Sequence, residues 1–483
     1  MFDFLHDLWL QIVGGLTILL ALIASGHAVL HKRDVSAAAG WVAVIWLTPV
    51  AGPILYLLLG INRIRRRAGE LRRQTLHLRA TTMEMQSRHV GLVSALPEES
   101  SHLDAVARLV DRVTRTPLAV GNAVEPLVNG DEAYPSMLRA IDHAERTIAL
   151  GTYIFDNDVS GRSFADALGR AVERGVEVRV LIDSVGARYS WPPVMKLLMR
   201  QQVPVARFLH SVWPWRMPYV NLRNHRKFLI VDGRIGYTGG MNIRAGHVMA
   251  AKTRSPIQDV HFRIAGPVVT HLMHVFAEDW LFTTRELLTG EAWFPTIGPE
   301  GSVVARGIPD GPDHDFDKLR WAILGALARA RHRVRIVTPY FLPDTTLVTS
   351  LNLAALRGVA VDVVLPDKNN LPYVKWACQA QLWQILSRDC RVFYSPPPFD
   401  HTKLLVVDGA WALIGSANWD PRSLRLNFEF NVELYDAVLG GRLDAIVDEK
   451  IAAAREITLA DVDGRPFSVK LRDGVARLFS PYL

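Results

Sequence analysis

A chain of 483 residues, 49% of them apolar, is long enough for about three domains with large cores. Its formal charge of +7 is local: residues 63–88 hold eight arginines against Glu70 and Glu84, a net +6, which leaves about +1 for everything else. Nucleic-acid binders spread positive charge over a binding face, so the near-neutral body argues against that class; two cysteines, Cys378 and Cys390, exclude a disulfide framework and read as reduced core thiols.

The first elements are apolar. Leu8–Leu30 and Ala39–Ile61 each run 23 residues without Asp, Glu, Lys or Arg. At 1.5 Å per residue each is ~34 Å long, enough for a ~30 Å hydrocarbon core. Residues 1–62 are therefore predicted to form a two-helix transmembrane hairpin. Pro49 and Pro53 are tolerated inside a membrane span, and Trp41, Trp46 and Tyr56 suit the interface. The leading MFDFLHD has two Asp and no Lys or Arg, the wrong sign for a signal peptide. Lys32 and Arg33 in the connecting loop are outnumbered by six arginines between residues 63 and 73. The positive-inside rule then leaves both ends of the hairpin, and all that follows, in the cytoplasm. Residues 63–116 read as an Arg-rich juxtamembrane linker, a solvated topology signal that can also gather anionic lipid at ~1 kcal/mol per basic residue.

From Pro117 the chain repeats itself. ERTIALGTYIF (Glu145–Phe155) corresponds to RHRVRIVTPYF (Arg331–Phe341), and RGVEVRVLID (Arg174–Asp183) to RGVAVDVVLP (Arg357–Pro366). Each pair is strand-like with a helical stretch between, which implies parallel strands and a crossover helix. HRKFLIVDGRIGYTGGMN then matches HTKLLVVDGAWALIGSAN, a strand, a DG turn and another strand. IQDVHFRI matches FEFNVEL. The fold class is α/β: two units, residues 117–295 and 296–483, facing each other about a pseudo-two-fold axis. The i, i+3 pair His271 and His274 reads as one side of a packing helix.

Within the repeats lie two identical frames, one in each. His225, Lys227, Asp232 and Asn242 recur as His401, Lys403, Asp408 and Asn418, with the same offsets of 2, 7 and 17. One HxK is an ordinary polar strand face; two copies inside an independent repeat are not. On a strand, i and i+2 share a face, and each Asn follows a glycine-containing bend, Gly239-Gly240 or Gly415-Ser416. Two units face to face would supply two imidazoles, two ammonium groups and two amides at one spot. That set suits covalent phosphoryl transfer: one imidazole attacks phosphorus, the other handles the alcohol proton, and Lys and Asn hold the non-bridging oxygens. No metal or cofactor is needed. Asp232 and Asp408 complete each frame, and at the turn they read as structural acceptors of backbone donors.

The doubled HxKxxxxD with a Gly-rich bend and Asn resembles the phospholipase D superfamily over residues 117–483. The resemblance implies a nucleophile and acid/base pair in His225 and His401, with His225 favoured as nucleophile, and phosphate binding by Lys227, Lys403, Asn242 and Asn418. It also implies an orienting acid about thirty residues after each histidine: Asp259, 34 after His225, and Glu429, 28 after His401. Gly240 stands where the second copy has Ser416, which leaves the half-sites unequal. With WLTPVAGPILYLLLG, the Arg-rich flank, DPRSLRLNFEFNVELYD and a terminal SPYL, the whole chain looks like the bacterial cardiolipin synthases of that superfamily. That likeness implies a multi-pass enzyme of the bacterial inner membrane that joins two phosphatidylglycerols, releasing glycerol, with an anionic bilayer and no nucleic acid as partners; a homo-oligomer is left open. The alternatives are a phospholipase D-type hydrolase, another phosphatidyltransferase, a membrane-tethered nuclease and a non-catalytic scaffold. Just before the first frame, Trp213, Trp215, Met217 and Tyr219 surround Arg216, as an interfacial loop or an internal aromatic cluster.

Overall fold

A computed structural model of the chain describes residues 2–32, 35–60, 96, 98–209, 222–312 and 315–480. The Arg-rich stretch 63–88 and the aromatic stretch Trp213–Tyr219 lie outside the described residues. The chain divides into two compact units, Met1–Arg67 and Ala68–Leu483.

In the first unit, α1 (Phe2–His31) contains an apolar stretch, Gln11–His31, long enough to cross a membrane. Trp9, Ile12, Leu16, Leu19 and Ile23 on it are exposed, so it is not the core helix of a globular domain. The second expected span is not one continuous helix. It forms α2 (Val35–Leu47), breaks at Thr48-Pro49-Val50, resumes as the short α3 (Ala51–Leu55), and ends in a π-helical turn, Tyr56–Gly60. Pro49 has no N–H to continue the ladder and its ring crowds the preceding turn. Gly52 then lets the chain press against α2: a Cβ there would sit 2.6 Å from Ile45 Cα and Val44 O. The side chains of Ala21, Ala28, Ile45 and Tyr56 close the small core of this unit.

The second unit is built on one mixed sheet. In chain order its first half has β1 (Ala119–Val128), β2 (Thr147–Thr152), β3 (Glu177–Asp183), β4 (Val205–Phe208), β5 (Phe228–Val231), β6 (Ile235–Gly239), β7 (Ile257–Gln258) and β8 (Val260–Ala265). The second half has β9 (Val303–Asp310), β10 (Arg333–Val337), β11 (Ala360–Pro366), β12 (Arg391–Ser395), β13 (Phe399–Asp400), β14 (Leu404–Val407), β15 (Trp411–Gly415), β16 (Glu429–Tyr435) and β17 (Arg455–Ile457). Fifteen of these pair in the order β17-β12-β11-β10-β14-β15-β16-β9-β1-β8-β6-β5-β2-β3-β4. Outward from the antiparallel β1–β9 seam, β8-β6-β5-β2-β3-β4 on one side answers β16-β15-β14-β10-β11-β12 on the other.

The sequence pattern explains this order. β2 is buried along its whole length and β10 along all but its first residue, as near-continuous apolar runs require. Each pairs in parallel with the strand that follows its crossover helix, β3 after Val159–Glu173 and β11 after Thr345–Leu356. Those helices start on equivalent caps: Asp158 accepts from Gly161 N at 2.9 Å, and Asp344 from Thr346 N and Leu347 N at 2.9 and 3.0 Å. The DG turns close the hairpins β5–β6 and β14–β15 in matching registers. The bends after them need glycine. Gly239 and Gly415 have φ of +149° and +148°, and a Cβ would lie 2.6 Å from His261 Nδ1 or 2.4 Å from Phe430 O. Residues 104–114, expected within the linker, form a helix whose Val106 and Val110 join Ile308, Leu319 and Ile323 in the core of the second half.

Candidate active site

Both HxK segments are extended but sit just ahead of a strand, not on one. His225 and Lys227 lead into β5, and His401 and Lys403 join β13 to β14. Each is held on the backbone of the other half. His225 N–H donates to Phe428 O at 2.9 Å, and His401 N–H donates to Gln258 O at 2.8 Å. Parallel pairing extends both contacts, as an Asn224–Phe428 bridge and as β13 on β7.

Those carbonyls immediately precede the two acids, so the histidine–acid pairs cross between halves. His225 Nδ1 lies 2.9 and 3.0 Å from the carboxylate oxygens of Glu429, and His401 Nδ1 lies 2.9 Å from Asp259 Oδ2. The expectation that each histidine is oriented by the acid downstream in its own half is thus corrected. The physical reason is the backbone pairing just described, which brings each acid to the opposite imidazole. With Nδ1–H donated to the acid, Nε2 is left to react.

Burial sets the charge state of the cluster. It lowers His225 to about 4 against the pull of Glu429, and drives His401 well below its usual value, with Lys403, Lys227 and His225 pushing the same way. Burial also lowers Lys227 to about 7 and Lys403 to about 8, while the nearby carboxylates oppose the shift. The acids differ. Asp259 is raised to about 6 by burial, whereas His225, Lys227 and the Ser416 hydroxyl hold Glu429 below the ordinary range in spite of its burial. The lysines differ too. Lys227 Nζ donates to His225 O at 2.6 Å; Lys403 Nζ donates to His401 O at 2.7 Å and also lies 3.0 Å from His401 Nε2.

The Gly240/Ser416 difference belongs to this asymmetry. Ser416 Oγ donates to Glu429 Oε2 at 2.5 Å, and a Cβ on Gly240 would lie 2.5 Å from Asp259 Oδ2. The shorter acid therefore lies in the space that a side chain at 240 would take.

Asp232 and Asp408 stand apart from the imidazoles. Asp232 accepts from the backbone N–H groups of Glu145, Arg146 and Thr147 at 3.1, 2.7 and 2.9 Å. Asp408 accepts from those of Arg331, His332 and Arg333 at 2.9, 2.8 and 2.8 Å. The donors belong to the start of the neighbouring strand rather than to the aspartates' own turn. Asn242 Oδ1 accepts from Ile154 N at 3.0 Å, while Asn418 Oδ1 is buried with no hydrogen-bond partner among the described residues.

Three further side chains reach the site without having been singled out from the sequence. Tyr153 is edge-on to His225 with ring centroids 5.2 Å apart, and Tyr340 stands 6.5 Å from His401. His247 lies 6.4 Å from His401, and both its ring nitrogens are buried without a hydrogen-bond partner among the described residues. The tyrosines end the strand-like runs already seen to repeat, which was the available signal; His247 had none. His271 and His274 are buried on the helix Val269–Thr284, as a packing face requires, and both cysteines are free and buried.

The model of the PLD-like domain of cardiolipin synthases matches residues 137–280 and 323–451, which hold both frames. The chain belongs to the cardiolipin synthase family of the phospholipase D superfamily. It is a phosphatidyltransferase by that membership. The model of a phospholipase D-nuclease N-terminal segment matches residues 19–60. Cardiolipin synthase A of Pseudomonas putida is 31% identical over 469 residues, 97% of each chain. Cardiolipin synthase of Oceanobacillus iheyensis is 31% identical over 474 residues, 97% of this chain and 98% of its own. Among solved structures, phosphatidylserine synthase of Haemophilus influenzae superposes with a TM-score of 0.62 at 16% identity, covering 78% of this chain and all of that one, and so shares the fold.

Proposed function

We propose that this cardiolipin synthase joins two phosphatidylglycerols through a phosphatidyl-histidine on His225. Neutral His225, its Nδ1–H held by Glu429, attacks phosphorus through Nε2. The P–O bond to glycerol breaks as His401 Nε2, protonated by the Lys403 ammonium 3.0 Å away, passes that proton to the departing oxygen. The hydroxyl of a second phosphatidylglycerol then loses its proton to His401, its oxygen attacks phosphorus, and the P–N bond breaks to give cardiolipin. Lys227, Lys403, Asn242 and Asn418 hold the non-bridging oxygens as charge shifts. The two halves of the second unit, related by a pseudo-two-fold axis, each bring one imidazole. The N-terminal helices act as a membrane hairpin with the catalytic unit on the cytoplasmic side, a reading supported by α1 and by the arginines of residues 63–88.

The observation that carries the chemistry is the inequality of the crossed pairs. Glu429 is held ionised against His225, and Lys403 lies against His401 Nε2 while Lys227 leaves His225 Nε2 alone. The test uses a phosphatidyl ester whose leaving group needs no acid, such as p-nitrophenol. His401→Asn is expected to release the phenol and accumulate lipid-modified protein at residue 225 by mass spectrometry. His225→Asn is expected to accumulate none. An adduct on His401 in the second variant would reverse the assignment. With phosphatidylglycerol alone the native enzyme is expected to yield cardiolipin and glycerol; phosphatidic acid as the main product would mark a hydrolase.

A further inference from the structure

The helix Phe467–Leu478 docks with its charged side inward. Asp473 on it is fully buried, ion-paired with Arg465 and accepting from Arg472 Nε at 2.9 Å. Arg465 Nη2 donates on to Gln379 O at 3.1 Å, and the Arg472 guanidinium lies 4.4 Å from the Trp376 ring, both on the helix Pro372–Gln379. The other side carries Phe467, Leu471, Val475, Leu478 and Phe479, between 49% and 79% exposed. Their spacing of 4, 4, 3 and 1 residues makes a single stripe. A helix of a soluble domain buries such a stripe; here the stripe is exposed and Asp473 is buried in its place.

Two more observations say what covers it. Lys470 and Arg477, exposed beside the stripe, have no ion pair among the described residues. The stripe also stands one helix from the active site: Tyr340, beside His401, bonds Asn370 at 2.8 Å, and Asn370 leads into Pro372–Gln379.

We infer that the Phe467–Leu478 helix lies in the surface of an anionic bilayer, apolar stripe among the acyl chains and Lys470 and Arg477 on the phosphates, holding the site against the lipid surface. A two-fold contact between copies of this face would set those cations against their like, whereas lipid phosphates neutralise them. The inference goes beyond the proposed reaction and does not depend on which product the site makes.

The test uses the full chain in lipid nanodiscs, with Leu471→Cys carrying an environment-sensitive fluorophore; Cys378 and Cys390 are buried and spared. Nitroxide on the acyl chains of phosphatidylglycerol-containing discs is expected to quench the probe at least twofold. Adding Lys470→Gln and Arg477→Gln should weaken that quenching. Emission indifferent to nitroxide lipid, or quenching only between labelled copies, would overturn the inference. In a second arm, Leu471→Glu with Val475→Glu is expected to raise the apparent KM for bilayer phosphatidylglycerol roughly tenfold. Turnover of a dispersed short-chain substrate should stay the same, which also reports that the variant is folded. Equal KM on bilayers would count against the membrane contact. Should the chain make no cardiolipin at all, the fluorescence still decides the question.

Discussion

Gly240 and Ser416 show how two acids of different length serve equivalent positions. Gly240→Ser is expected to drive Asp259 off His401 and cut turnover by about 10- to 100-fold, the usual cost of losing a histidine's supporting partner. A hydroxyl at 240 with a longer acid copies the Ser416–Glu429 arrangement, so adding Asp259→Glu should recover part of the loss. Steady-state kinetics of the single and double variants checks this. The lysines give a second prediction. In the proposed reaction Lys227 and Lys403, lowered to about 7 and 8, would hold phosphate only while charged. Log kcat/KM should therefore fall as pH rises through that window, and Lys227→Arg, which stays charged, should flatten that limb. At this scale the frames were legible because identical offsets of 2, 7 and 17 do not recur by chance. The crossed acid pairing was not: a separation of about thirty residues is compatible with either partner until the backbone contacts are known. His247 escaped because the equivalent place in the second copy, five residues past Asn418, holds Ser423, so no repeat flagged it.

At the scale of elements, the two DG turns do more than reverse the chain. Asp408 gathers three backbone N–H groups from the first residues of β10 and its approach, and His102 Nε2 lies 2.9 Å from Asp408 Oδ2. Asp408→Ala would strand those donors and is expected to lower stability by about 2–3 kcal/mol, read by thermal or urea unfolding. The backbone donors hold this carboxyl below its ordinary range in spite of burial. A depressed carboxyl stabilises the fold above its unfolded pKa, near 4, and that contribution is lost as pH falls toward the folded value. The variant's deficit should accordingly narrow in acid. Strands and crossover helices could be read from hydrophobic runs and caps. The second span could not, because a 23-residue window of apolar composition does not report that Pro49 interrupts the backbone ladder. The helix Asp104–Thr114 was missed for a related reason: the strong arginine run before it made the whole segment look like linker, although Val106 and Val110 are spaced for a buried face.

For the whole molecule, the controlling fact is that neither half owns a complete imidazole–acid pair. Split between residues 295 and 296, the two fragments are expected to be inactive when made separately and to regain activity when co-expressed, measured as cardiolipin formed from phosphatidylglycerol. Activity proportional to the concentration of one lone fragment would contradict this. The duplicated α/β plan was visible from the internal repeat, but the seam between copies was not, since β1 and β9 carry no shared motif to mark them. Interdependence of this sort has an evolutionary edge. Ordinarily a duplicated gene segment is free to drift once its twin covers the ancestral task. Here a lesion in either copy disarms the other's histidine, so neither can be retired or repurposed alone, and selection on one is inherited by both.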